Sequence, residues 1–176
     1  MVNQLLTLTA AQAHVEGRRD FESMALDALV QQALEGLASL AHAKSIDLGF
    51  ETDRQAPPIE GHRVMVQEIV MNLLDNAIRY TPAGGVVTAR IAARPDGVEL
   101  AIEDNGPGIA APERERVFDR FFRLKDQDSS GSGLGLAIVR EFAQRLGASV
   151  KLGDGKDGRG LTATVLFSRD RVGHTS

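Results

Sequence analysis

The sequence predicts a two-layer α+β domain, a single mixed but mostly antiparallel sheet with helices packed on one face. Three observations predict it. Apolar residues recur at three- and four-residue steps in separate stretches of the chain. Between two of these stretches lies an alternating hairpin with a tight turn. Two further alternating segments close the chain around a glycine-rich turn.

The elements follow in order. Residues 2–16 place Val2, Leu5, Leu6, Thr9, Ala10 and Ala13 on one helical stripe, ending near Gly17. This stripe reads equally as a helix packed on the domain or as the stump of a longer interaction helix. A stronger helix follows, with Leu26, Leu29, Val30, Ala33, Leu34, Leu37, Leu40 and Ala41 in phase. Ile46, Leu48 and Phe50 alternate like a short strand, and residues 52–61, with Pro57 and Pro58, read as a loop. From about Arg63 to Arg79 the helical period returns, with Val66, Ile69, Val70, Leu73, Leu74 and Ala77 facing a core. Val87, Ala89, Ile91 and Ala93 then alternate, Arg94-Pro95-Asp96-Gly97 turns, and Val98, Leu100 and Ile102 alternate back. Residues 105–132 form a long polar segment with a helical stretch near Pro112 to Phe118, the kind of connection that serves as a lid. A helix is expected from about Gly133 to Leu146, ending near Gly147, then strands at 148–152 and 161–167.

Composition narrows the chemistry. The 176 residues are 43% hydrophobic and 25% charged, as in a folded globular domain, and the net charge of -4 lacks the basic excess of a nucleic-acid binder. With no cysteine, disulfides, thiolate catalysis and zinc–thiolate sites are excluded. His14, His42, His62 and His174 have no metal-site spacing. No apolar run is long enough to span a bilayer.

Some polar residues sit where a core would not put them. Asn72 and Asn76, four apart on a helix, point the same way, with Glu68 and Arg79 extending the stripe. Alone, this fits a solvated helix face or a pair of neutral oxygen ligands for Mg²⁺ with a phosphate-reaching arginine. Asp104 is in phase with Val98, Leu100 and Ile102, so it points to the buried side of the sheet. It either caps the turn Asp104-Asn105-Gly106 or floors a pocket as a hydrogen-bond acceptor. Gly131-Ser132-Gly133-Leu134-Gly135-Leu136 opens a helix, a start whose free N–H groups and dipole suit an anion. Gly106-Pro107-Gly108 imitates a dinucleotide fingerprint, but it follows a hairpin rather than a βαβ unit and carries a proline in the turn. No Walker lysine is present, and a calcium-loop reading of Asp126 and Asp128 fails because Ala137 stands where glutamate is required.

In order and spacing these segments resemble the ATP-binding domain of bacterial sensor histidine kinases, within the wider ATPase group of gyrase, Hsp90 and MutL. Asn72-Leu73-Leu74-Asp75-Asn76-Ala77-Ile78-Arg79-Tyr80-Thr81-Pro82 resembles the N box, and Asp104-Asn105-Gly106-Pro107-Gly108-Ile109 the first glycine box. Phe118-Asp119-Arg120-Phe121-Phe122-Arg123 resembles the F box, Gly131 to Leu136 the second glycine box, and Gly158-Arg159-Gly160 is placed like the third. The resemblance implies a Bergerat-type ATP-binding fold over residues 25–168, with residues 1–17 the end of a dimerisation helix and 169–176 a tail.

It also implies roles. Asp104 would accept from the adenine amino group. Asn76 would hold Mg²⁺ with Asn72 beside it, and Arg79 and Tyr80 would lie near phosphates and sugar. Gly106 and Gly108, leading into Ile109, would hinge the lid. Ser132, Gly133, Leu134, Gly135 and Leu136 would admit the phosphates, with Arg123 reaching them from the lid and the F-box aromatics anchoring it. The expected activity is γ-phosphoryl transfer from ATP to a histidine of the kinase's own dimerisation domain, then to a response-regulator aspartate. A serine-kinase or anti-sigma-like ATPase of the same fold, or a nucleotide-binding module without catalysis, are the alternatives. Two departures qualify the likeness. Asn72 stands where gyrase-like ATPases carry a glutamate base, so ATP hydrolysis is expected to be slow. None of the four histidines has a phosphoacceptor context: His14 is followed by Val15-Glu16-Gly17-Arg18. The phosphoacceptor domain is therefore expected outside this chain, which is expected to be a mostly monomeric, cytoplasmic piece of an inner-membrane parent, with no nucleic-acid or membrane contact of its own.

Overall fold

The computed structural model describes residues 21–53, 55–123 and 133–169. The proposed dimerisation stump, His14, His174, most of the tail, and Gly131 and Ser132 of the second glycine box lie outside these residues.

Strand β1 (Glu22–Met24) leads into helix α1 (Leu26–Ala43), then β2 (Asp47–Thr52), β3 (Ile59–Gly61) and helix α2 (Arg63–Tyr80). The hairpin β4 (Val86–Arg94) and β5 (Gly97–Asp104) follows. Two 3₁₀ turns, Ala111–Glu113 and Arg116–Phe118, precede helix α3 (Gly135–Leu146) and the strands β6 (Ser149–Asp154) and β7 (Leu161–Ser168).

Five strands form one sheet in the order β2-β4-β5-β7-β6. Only β2 pairs in parallel, with β4; the other neighbours are antiparallel. The parity of each strand decides its faces. Val87, Ala89 and Ile91 of β4, Val98, Leu100 and Ile102 of β5, and Ala163, Val165 and Phe167 of β7 are buried under the helices. Their alternate neighbours are less deeply covered, and Arg90 spans that outer face to bind both Glu51 and Glu103. The three helices pack on the inner face, α2 lying between α1 and α3. Met65, Val66, Ile69, Val70, Leu73, Leu74, Ala77 and Ile78 make almost half of α2 a core surface. The two-layer, mixed-sheet architecture predicted from sequence is therefore the one observed.

Two details differ from the sequence reading. Residues 59–61 are not loop: β3 pairs antiparallel with β1, burying Met24 and Ile59. Strands of three residues are too short to show a period, so alternation could not reveal them. Helix α3 begins at Gly135 rather than Gly133, because Gly133 has a left-handed φ of 70° that no right-handed helix contains. Its other end follows expectation: Gly147, at φ 70°, closes the helix with hydrogen bonds to Ala143 and Gln144.

Candidate functional site

The site forms where the C-terminal end of β5, one face of α2 and the start of α3 converge. Asp104 ends β5 and, as its phase requires, lies on the covered side, 7% exposed. Its Oδ1 accepts from Gly106 N at 2.9 Å and from Leu161 N at 3.3 Å. Oδ1 thus caps the turn, as one sequence reading has it, and Oδ2 is left without a donor among the described residues. Burial pushes the carboxyl above the usual carboxylate range, and the nearby Glu103 charge adds to this; the two backbone donors work against it.

Backbone packing around Asp104 leaves no room for side chains. A Cβ on Gly106 would sit 3.1 Å from Tyr80 O, which brings the first glycine box against the end of α2. A Cβ on Gly160, where φ is 77°, would fall 1.8 Å from Asp104 O. Gly108, at φ 70°, meets Gly160 O in the same way, so the first and third glycine boxes interlock. Asn105 completes the strand end: its Oδ1 accepts from Val86 N at 2.8 Å.

The asparagine face lies opposite the start of α3. A Cβ on Gly135 would stand 3.1 Å from Asn72 Oδ1 and 3.3 Å from Asn76 Nδ2. The two carboxamides and the opening turn of α3 are therefore neighbours, although Asn72 and Gly135 are far apart in sequence. Leu134, the residue before the helix, gives it no side-chain cap, and among the described residues no acceptor takes its first N–H groups. Asn72 Nδ2 donates to Glu68 O at 2.8 Å and to Glu68 Oε2 at 3.3 Å, which turns its amide oxygen toward Gly135. Burial raises the Glu68 carboxyl, partly offset by that hydrogen bond. Arg79 is exposed and donates to Asp75 Oδ2 at 2.6 Å, one turn back on α2. Tyr80 is half-buried beside it.

The described part of the lid is tied down at several points. Arg114 Nε donates to Ile109 O at 2.9 Å while Nη2 binds Asp154 Oδ1 on β6. Phe118 is buried, with the Arg140 guanidinium of α3 5.4 Å from its ring centroid. Phe122 is half-buried under Arg116, at 4.8 Å. Phe121 departs from the anchoring expected of the F box: it is 68% exposed, at a left-handed φ of 65°. Its N–H donates to Gly133 O at 2.9 Å, so backbone rather than ring joins the F box to the second glycine box. Arg123, also exposed, stands at the edge of the described lid. Of the second glycine box, Gly133 and Gly135 are at the site, Leu134 is buried and Leu136 half-buried.

One residue at this site received no role from the sequence. Lys44 Nζ donates to Ile78 O, Arg79 O and Thr81 O at 2.9, 2.7 and 2.6 Å, gripping the end of α2. A lysine just past a predicted helix reads as ordinary end-of-helix charge, and no local pattern tells it from one that crosses to another helix.

Comparison with known proteins places this geometry. The family described as histidine kinase-, DNA gyrase B-, and HSP90-like ATPase matches residues 61–171. Sensor protein QseC of Salmonella typhi is 35% identical over 167 residues, covering 95% of this chain and 36% of that protein. Sensor protein kinase PmrB of Pseudomonas aeruginosa is 37% identical over 150 residues, 85% of this chain and 31% of its own length. The chain thus spans about a third of the curated relatives it matches. Among solved structures, a mycobacterial sensor histidine kinase, MprB, superposes with a TM-score of 0.72 at 30% identity, covering 84% of this chain and 96% of that one. ShkA, solved full-length in complex with AMPPNP, gives 0.78 at 28% identity over 93% of this chain and 34% of its own. The chain belongs to the histidine kinase-, DNA gyrase B-, and HSP90-like ATPase family, as an ATP-binding catalytic domain of the sensor histidine kinase kind.

Proposed function

We propose that this domain binds Mg²⁺–ATP between Asp104, the asparagine face of α2 and the start of α3. Its task is to deliver the γ-phosphoryl group to a histidine of a dimerisation domain outside residues 21–169, for onward transfer to a response-regulator aspartate. The observation that carries the reading is the divided Asp104 carboxylate. One oxygen is committed to backbone donors; the other is open to an exocyclic amino group. That second oxygen is not sealed from the surface, so a ligand donor can reach it, and a hydrogen bond to a carboxylate is stronger than one between neutral groups.

The other residues fit the same ligand. Asn76 offers a neutral oxygen, and an amide oxygen completed by phosphates and waters is a ligand set that Mg²⁺ accepts. Asn72 stands beside it. The uncapped start of α3 at Gly133, Leu134, Gly135 and Leu136, with Ser132 before it, offers N–H groups and a dipole to the phosphates. Gly106, Gly108 and Ile109 form the inner wall, with Tyr80 and Arg79 near the sugar and phosphates and Arg123 carried on the lid. Bound ATP supplies a phosphoryl group whose transfer depends on alignment and charge neutralisation rather than on covalent help from protein. Asn72, a neutral amide, cannot take a proton from water, which favours a protein acceptor over hydrolysis. In the parent protein the domain would stand on the cytoplasmic side of an inner membrane. None of the described helices is long and apolar enough to cross one.

The test is incubation with γ-labelled ATP, Mg²⁺ and a separate dimerisation domain bearing its acceptor histidine. Acid-labile, alkali-stable label on that domain is the expected result. Acid-stable label on serine, or no label although nucleotide binds, refutes it.

A further inference from the structure

An α-helix leaves its last carbonyls without intrahelical donors, and most helices close them with a left-handed residue or water. Helix α2 has no left-handed closing residue. Thr81 is extended, at φ -73° and ψ 130°, and its N–H turns back to Ala77 O. The next residue, Pro82, has no N–H to give. The ammonium of Lys44 fills the gap, directing one donor to each of Ile78 O, Arg79 O and Thr81 O. Lys44 itself is held. Its N–H binds Ala41 O, its carbonyl accepts from Gly84 N at 2.9 Å, and Asp47 N donates to Gly85 O at 2.9 Å. The left-handed Ser45, at φ 53°, turns the chain between them.

What Lys44 grips is the corner against which the first glycine box rests. Gly106 packs on Tyr80 O and Thr81 Cα, and Gly106 N is the shorter of the two hydrogen bonds that orient Asp104. The helix on the other side of that corner carries Asn72 and Asn76. We infer that Lys44 is a positioning residue of the nucleotide site: its ammonium sets the end of α2 against Gly106 and thereby the placement of Asp104 relative to the asparagines. The inference rests on the reading of the cleft as an ATP site.

The test compares the wild type with Lys44→Met, Lys44→Arg and a stability control, Ile91→Val in the core of β4. All are measured where each is fully folded. The readouts are calorimetric affinity for Mg²⁺ with non-hydrolysable ATP and GTP analogues, and the amide resonance of Gly106 without nucleotide. Lys44→Met is expected to weaken the ATP analogue about tenfold, narrow the preference over the GTP analogue, and move the Gly106 resonance. Lys44→Arg keeps the charge but not a compact three-donor head, so an intermediate loss is expected. The control leaves all three readouts at wild-type values. If Lys44→Met melts earlier yet keeps wild-type affinity, preference and Gly106 resonance, the residue is only a brace and the inference is overturned. If Lys44→Met does not fold, the same readouts on Lys44→Arg decide. If the wild type binds neither analogue, the ATP reading fails on its own account. The Gly106 resonance then decides the mechanical claim: a shift supports it and no shift overturns it.

Discussion

Replacing Asp104 by asparagine separates binding from folding. The amide oxygen can occupy the position of Oδ1 and keep both backbone donors, Gly106 N and Leu161 N. The amide nitrogen then takes the place of Oδ2 and presents a donor where the adenine amino group also brings one. The loss combines a hydrogen bond to a charged acceptor with an unpaired donor, about 3–4 kcal/mol, or two to three orders of magnitude in Kd. Stability should move the other way. Burial holds the Asp104 carboxyl above its ordinary range. Below the unfolded-state pKa both states are protonated and the group is neutral to folding. As pH rises from that value through the raised folded value, the unfolded chain ionises first and the fold loses stability, a cost that persists at neutral pH. Asparagine carries no such cost, so Asp104→Asn should melt at or above the wild type at neutral pH, with the gap closing in acid. The assay is calorimetric titration with Mg²⁺ and a non-hydrolysable ATP analogue, paired with thermal melts from acid to neutral pH. Unchanged affinity would refute the adenine role. A variant that binds poorly and also melts well below the wild type at neutral pH would make Asp104 a turn cap first, and the binding argument would fall with it.

Further outcomes follow from the same geometry. Asn76→Ala should abolish the gain in ATP-analogue affinity that Mg²⁺ gives the wild type, read by titrating both proteins with and without chelator; an undiminished gain would remove Asn76 as the metal ligand. Gly135→Ala would place a Cβ 3.1 Å from Asn72 Oδ1. Nucleotide affinity should fall while stability in urea changes by less than about 1 kcal/mol, since alanine is the better helix former. Gly160→Ala should be the reverse, a folding defect: at φ 77° its Cβ would meet Asp104 O. The expected loss is about 2–4 kcal/mol by urea denaturation, and a loss within error would show that the turn relaxes freely. The wild type's nucleotide affinity should decline on acidification at a higher pH than an exposed aspartate would give, because the protonated carboxyl no longer accepts at both oxygens.

Much of this protein was legible along the chain, because the physics that writes it is local. The helical period in α1 and α2 exists because one face of each must be apolar to pack, and the buried residues of α2 include every one the period selects. The parity of β5 alone sends Asp104 to the covered face. Strung in order, the asparagine pair, the glycine boxes and the F box identify the family before any coordinate. Tertiary structure decided the rest, wherever the partner is distant in sequence. Only the meeting of β5 with β7 shows that Leu161 N satisfies half of Asp104 and leaves the other half open. Only the approach of α3 to α2 sets Gly135 on the two carboxamides. The pairing of β1 with β3 is too short to have a period, and the exposure of Phe121 follows from a backbone turn that its residue type does not favour. Lys44 marks the limit most plainly: its donors close a helix that begins well after it, and a side chain that crosses between elements leaves no trace in the pattern of either.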